Sequence, residues 1–199
     1  MGVAEDTPSL LALARQYVKD RYDKPGNVYL GIVSRLDAPV TGVVLLARTS
    51  KAAARLTEQF RAREVEKTYW AVVEGIVRPA ATDCVDWLVH DDRHRRMHIA
   101  AEGAPGAQEA RLRYQLLRSF KGLSLVEVAL ETGRKHQIRL QLSHRGHPIV
   151  GDRKYGSQRQ FSPGIALHCR RLVVTHPVRH ERIELVDPPP KSWDGLGFG

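Results

Sequence analysis

The chain of 199 residues carries 31 lysines and arginines against 22 aspartates and glutamates, for a net charge of +9 and an isoelectric point near 9.9. Its apolar fraction of 42% allows a buried interior, and no apolar run approaches the roughly 20 residues that a membrane-spanning helix needs. These values exclude a helical membrane protein and an acidic disordered chain, and they fit one domain, or one core with a tail.

The start, Met-Gly-Val-Ala-Glu-Asp, has no basic stretch followed by an apolar core, so no secretory signal is visible. Cys84 and Cys169 stand far apart without metal-ligand spacing and read as two free thiols in a reducing compartment, which makes the cytoplasm the expected location. The basic excess favours encounter with a polyanion. It is clustered: Lys51, Arg55, Arg61, Arg63 and Lys67, then Arg93, Arg95 and Arg96, then Arg134, Lys135 and Arg139. Arginine outnumbers lysine, and its flat, five-donor head suits phosphates and base edges. A nucleic acid is the expected partner.

Thr7-Pro8 opens a predicted helix, threonine capping and proline in the first helical position, with an apolar face running through Leu10, Leu11, Leu13, Ala14, Tyr17 and Val18 to about Tyr22. Pro25-Gly26-Asn27 ends it. Residues 28–33 and 43–48 read as short strands on either side of a loop. Ser50 is a plausible cap for the next helix, which buries Ala53, Leu56 and Phe60. Strands are then expected over 68–74, 110–117, 123–130 and 165–175, with residues 78–106 as a charged, loop-rich region lacking a clear period. A short helix over 136–144 is stopped by Gly146 and Pro148. Residues 188–199, rich in proline and glycine, read as an extended tail after a domain spanning 1–187. Strands with inserted helices, not in strict alternation, predict an α+β fold around a mixed, mostly antiparallel sheet.

Three segments carry chemistry. Ser34-Arg35-Leu36-Asp37, closed by Gly42 and followed by Val43-Val44-Leu45-Leu46-Ala47, places a carboxylate beside an arginine in a tight connection next to a strand, where reactive residues tend to sit. Alone, an aspartate in a turn usually just bonds its own backbone. Lys67-Thr68-Tyr69-Trp70-Ala71-Val72-Val73-Glu74-Gly75 adds an aromatic strand. In the third segment, Thr132-Gly133 turns the chain and Arg134, His136, Gln137 and Arg139 crowd the start of a helix, where free N–H groups attract anions. A polar, capped surface helix is the usual fate of such a stretch, but it accounts poorly for Gly151-Asp152 and Tyr155-Gly156 following so soon.

Taken together these segments resemble the RluA family of pseudouridine synthases, which turn a uridine in RNA into its C-glycoside isomer. The family loop His-Arg-Leu-Asp-x-x-Thr-Ser-Gly corresponds to residues 34–42, with Ser34 in place of the histidine and Val40-Thr41 in place of Thr-Ser. Lys-x-Tyr-x-Ala-x-Val-x-Gly corresponds to 67–75. Thr-Gly-Arg-x-His-Gln-(Ile/Leu)-Arg, followed by Gly-His-Pro-Ile-x-Gly-Asp-x-x-Tyr-Gly, corresponds to 132–139 and 146–156, and a late His-Cys/Ala strand to Leu167-His168-Cys169. The likeness runs from about Leu10 to Pro189. Relative to the family pattern, the chain begins after a first strand that ends in a Lys-Pro-Ala-Gly-type turn, and no S4-like RNA-binding domain precedes it.

The resemblance implies a single catalytic domain with helices flanking the sheet around a central RNA cleft. It makes Asp37 the nucleophile and Arg139 the cation paired with it. Tyr69 is the ring that stacks on the flipped uracil, its hydroxyl available for proton transfer. Ile138 becomes an apolar wall of the pocket, while Arg35 fills the gap left by the extruded base or clamps a phosphate. Arg134, His136 and Gln137 contact substrate. No cofactor or metal is implied, the partner is ribosomal or transfer RNA, no membrane is involved, and a monomer is the default. Two rivals stand beside it: a catalytically silent RNA-binding protein of the same fold, and a metal-dependent phosphodiesterase built on His90, Asp91, Asp92, His94 and His98, whose spacing fits no recognised metal site.

Overall fold

The computed structural model describes residues 8–197. In chain order its elements are helix α1 (Leu10–Arg21), short strands β1 (Gly31–Ile32), β2 (Thr41–Gly42) and β3 (Leu46–Ala47), helix α2 (Ser50–Arg61), strands β4 (Glu66–Glu74), β5 (Ala81–Asp91), β6 (Arg96–Ala100), β7 (Gln108–Phe120) and β8 (Leu123–Leu130), helix α3 (Gln137–His144), and strands β9 (Leu167–Thr175) and β10 (Arg182–Val186). Short 3-10 turns lie at Arg153–Tyr155 and Lys191–Leu196. The long strands form a sheet in the order β10-β9-β4-β8-β7-β5-β6, with β2 parallel to β9 and antiparallel pairing of β4 with β8 and β9, β7 with β5 and β8, and β5 with β6. This is the anticipated α+β architecture with its mixed, mostly antiparallel sheet. No helix among the described residues is long and apolar enough to cross a membrane.

The chain divides into two compact units. The smaller holds the described residues up to Arg35, Val44–Glu64 and Val174–Ile183. In it β1 pairs antiparallel with β3, and α2 buries Leu56. Gln59 clamps Thr175 through both its amide atoms, at 2.8 and 2.9 Å. Capping differs slightly from expectation. Ser9 caps α1, accepting from the Ala12 N–H, and Thr49 rather than Ser50 caps α2. Thr7, the cap expected for the first helix, lies outside the described residues. The strands expected over 28–33 and 43–48 shrink to two residues each.

The larger unit comprises Leu36–Val43, Val65–Val173 and Glu184 onwards. Its core is built on β4 and β8, where Ala71, Val72, Val73, Val126 and Val128 are fully buried. Strands covered on both faces read as continuous apolar runs, as 71–73 does. The region 78–106 is not a loop but a long hairpin, β5 with β6, and this corrects the sequence reading. The alternation is real, with Cys84 and Leu88 turned inward. Asp86, largely buried, disguises it, because Gln141 and Arg145 bind its carboxylate at 2.6 and 2.8 Å. The hairpin turns where Asp91 accepts the His94 N–H, an aspartate-stabilised turn. The described part of the expected tail, residues 188–197, is also not simply extended: the turn at Lys191–Leu196 buries Trp193 against the His168 ring, and the tail's last two residues lie outside the described ones.

Candidate active site

Asp37 sits in a tight turn closed by the Val40 N–H bonding to its carbonyl at 2.9 Å. The turn is anchored on both sides. Pro39 O accepts from Ile165 N, and Thr41 and Gly42 run parallel to His168 and Cys169 of β9. His168 is buried and donates from Nε2 to the Asp187 carbonyl, which leaves Nδ1 to accept the Thr41 hydroxyl at 2.8 Å. Burial lowers its pKa, so the ring stays neutral in this clamp. Gly42 has φ +115, and a Cβ there would collide with the backbone of Cys169. Only glycine lets the loop lie this close to β9.

Helix α3 supplies the cation. Arg139 Nη1 lies 3.0 Å from Asp37 Oδ2, joining residues 102 apart in sequence. The same guanidinium is held by Asp152 in a two-pronged pair, Nε to Oδ2 at 2.6 Å and Nη2 to Oδ1 at 2.9 Å. Burial opposes the charge on Arg139, but the bonds to Asp152 and then Asp37 outweigh it and raise its pKa. A planar fork suits this geometry, since one edge can be fully occupied while another nitrogen reaches forward. Asp152 is aimed by its own turn: its N–H donates to Ile149 O, and its carbonyl accepts from Tyr155 and Ser157. With only 1% of its side chain exposed, Asp152 neutralises the buried arginine, and Asp37, 30% exposed, remains reachable.

Tyr69 lies on β4, packed against the buried cluster that includes Ile138. Burial, then the neighbouring Cys169 bonded to its hydroxyl, then Asp37, hold its phenol well above the usual range, so it is a neutral group. Its flat ring and uncharged hydroxyl suit stacking or proton donation rather than service as a phenolate base.

The remaining predicted residues divide. Ile138 is buried in the core cluster that Tyr69 packs against. Gln137 is wholly engaged in the fold, accepting from Thr132 Oγ and Arg134 N and donating to Arg111 O. Arg134 donates its Nε to the Glu109 carbonyl at 2.9 Å. These two hold the turn before α3 against β7 and are not brought to Asp37. His136 comes within 3.8 Å of Asp37 Oδ2. Arg35 is exposed and belongs to the smaller unit. In the His/Asp cluster, Asp91 binds His94 and His98 while His90 pairs with Asp92.

Asp152 and Tyr155, both within the third motif, are functional residues whose part the sequence reading missed. The signal for Asp152 lies in Arg139, because a buried cation needs a carboxylate nearby.

Residues 3–144 match the family described as RNA pseudouridylate synthase. The chain is 40% identical over 172 residues to an uncharacterized RNA pseudouridine synthase of Chloroflexus aurantiacus, covering 83% of this chain and 52% of that protein. It is 34% identical to a tRNA pseudouridine synthase C of Yersinia pestis, over 91% of this chain and 76% of that one, and 35% identical to a ribosomal large subunit pseudouridine synthase D of Xylella fastidiosa, over 81% and 52%. The chain thus spans about half the length of several curated relatives it matches. A solved structure, human RNA pseudouridylate synthase domain containing 4, superposes with a TM-score of 0.80 at 27% identity, covering 96% of this chain and 84% of that one. With the three motifs in order, the matching fold and these relatives, the chain belongs to the RNA pseudouridylate synthase family, of the RluA type.

Proposed function

We propose that this protein isomerises uridine to pseudouridine in ribosomal or transfer RNA, with Asp37 as nucleophile. The observation that carries the reading is the chain Asp37–Arg139–Asp152: a reachable carboxylate on a rigid turn, held by a cation whose own charge is balanced from behind. Carboxylate attack at the sugar C1′ breaks the C1′–N1 bond and leaves the uracil carrying the electron pair. After rotation, C5 attacks C1′ and expels the carboxylate. The C5 hydrogen is then lost as a proton while N1 gains one. Atoms and electrons balance without a redox partner.

Tyr69 supplies a ring for stacking, worth on the order of 1–3 kcal/mol per base, and a neutral hydroxyl for the proton steps. The basic surface supports RNA as partner. Two free, buried cysteines suit the cytoplasm.

The test is tritium release from RNA labelled at C5 of its uridines, comparing the protein with Asp37→Asn. Release is expected from the parent, with a loss of at least about 1000-fold in the variant, the scale seen when a nucleophile is removed. Binding of RNA without release by either protein would replace this reading with the silent RNA-binding one.

A further inference from the structure

His136 occupies the capping position of α3 yet makes no capping bond, and its backbone is left-handed, with φ 53° and ψ 22°. Serine, aspartate or asparagine would serve the cap better, and a non-glycine residue in this conformation is uncommon enough to ask what the side chain does instead.

The ring is buried between two partners. Its Nδ1 lies 2.8 Å from the Tyr155 hydroxyl, and its Nε2 lies 3.8 Å from Asp37 Oδ2, longer than a hydrogen bond in the substrate-free state but of the kind that tightens when substrate is bound. The tautomer follows from a third bond. The backbone N–H of Met97, on β6, donates to the Tyr155 oxygen at 3.1 Å. An N–H can only donate, so the phenol oxygen accepts there and its hydrogen is free to point at His136 Nδ1. Nδ1 is then the acceptor, and the ring proton sits on Nε2, facing Asp37. In the opposite tautomer the Tyr155 oxygen would take two donors, leaving its own hydrogen without an acceptor among the described residues.

Arg139 Nη1 reaches the same Asp37 oxygen, Oδ2, at 3.0 Å. We propose that His136, locked as the Nε2–H tautomer by Tyr155 and the Met97 backbone, is a positioning residue that with Arg139 holds Asp37 Oδ2 and leaves Oδ1 as the reacting atom. This rests on Asp37 being the nucleophile, and it separates His136 from the role of an RNA contact.

The charged groups around the ring are Asp37 from the catalytic turn, Arg139 from α3, Lys135 beside it and Lys154 from the turn after Asp152. Burial first, then these three cations against the one carboxylate, favours the neutral imidazole. Acid would place a second proton on Nδ1 and break the lock, because Nδ1 could no longer accept from Tyr155.

The experiment combines kinetics with tautomer spectroscopy on the full chain, using in vitro transcribed ribosomal and transfer RNA tritiated at C5. His136→Gln can return a donor near the Nε2 position, and His136→Asn cannot. We expect kcat to fall roughly tenfold or more in His136→Asn and less than about threefold in His136→Gln, the first corresponding to one lost hydrogen bond in the transition state, with KM unchanged in both. In Tyr155→Phe the neutral ring loses the donor that favours it, so the acid limb of kcat moves to higher pH. Long-range proton–nitrogen correlation on 15N-histidine protein, assigned by the signal lost in His136→Gln, should show the Nε2–H form at neutral pH.

A rise in KM without loss of kcat, an Nδ1–H or doubly protonated ring at neutral pH, or an unmoved acid limb in Tyr155→Phe would each overturn the proposal. A wild-type protein that binds RNA but releases no tritium would overturn the isomerase reading and the steering role with it, while the tautomer would still be read directly.

Discussion

Helices α1 and α3 differ in a way their compositions do not suggest. The shorter α3 buries six residues in a row, Gln137 to Leu142, two glutamines and an arginine among them. The longer α1 has no buried residue and turns Leu10, Leu13 and Tyr17 outward, each more than half exposed, with only Leu11, Ala14 and Val18 partly covered. Burial here follows partners rather than polarity. Arg139 is matched by Asp152 and Asp37, Gln137 by Thr132 and Arg111, and the amide nitrogen of Gln141, though not its Oε1, by Asp86 and Ala110. A buried polar group is tolerable when its bonds are made and costly when they are not. The apolar stripe of α1 lacks equivalent cover.

This contrast can be tested by substitution. The largest effect is expected from Asp152→Ala, which leaves Arg139 buried with Asp37 alone. Breaking a buried pair from one side costs about 3–5 kcal/mol, and chemical denaturation should record that loss together with a fall in turnover. A loss below about 1 kcal/mol would mean that water reaches Arg139 and relieves its need for Asp152.

A middle effect is expected from Gln141→Leu, which keeps much of the volume but leaves Asp86 bonded to Arg145 without the amide. Unfolding should be easier by about 1–3 kcal/mol, the scale of losing one hydrogen bond to a charged group. Denaturation midpoints at equal slope would measure it. Leu13→Ser on α1 should change stability by no more than about 0.5 kcal/mol, as surface substitutions do. If it matched Gln141→Leu, the exposed stripe of α1 would be a covered face in solution and the contrast would collapse.

The site was legible in part. Asp37, Tyr69 and Arg139 could be picked out because each sits in an ordered run of residue types, and the structure brings Asp37 and Arg139 into contact at 3.0 Å. Gln137 and Arg134 belong to the same run, and there the Gln137 amide and the Arg134 backbone N–H and Nε bond within the fold around the start of α3. A motif records which residue types occur together without showing the bonds each of them makes. The β5–β6 hairpin was missed for a related reason. Its inward positions include Asp86, and a carboxylate breaks the alternation that marks a strand until Gln141 and Arg145 are seen to bind it.

From the sequence alone came the basic character, the α+β class, strand β8 at its observed bounds, the family resemblance and the pairing of Asp37 with Arg139. The first three depend on local composition and periodicity, which a linear chain displays directly, while the pairing was implied only by the resemblance that the ordered motifs carry. Only the tertiary structure decided that Asp152 backs Arg139, that His168 clamps the Asp37 turn through Thr41, and that Tyr155 and Met97 orient His136. Hydrogen-bond direction and burial arise between residues far apart in the chain. They exist only once the sheet and α3 have brought those groups within 3 Å or so of one another.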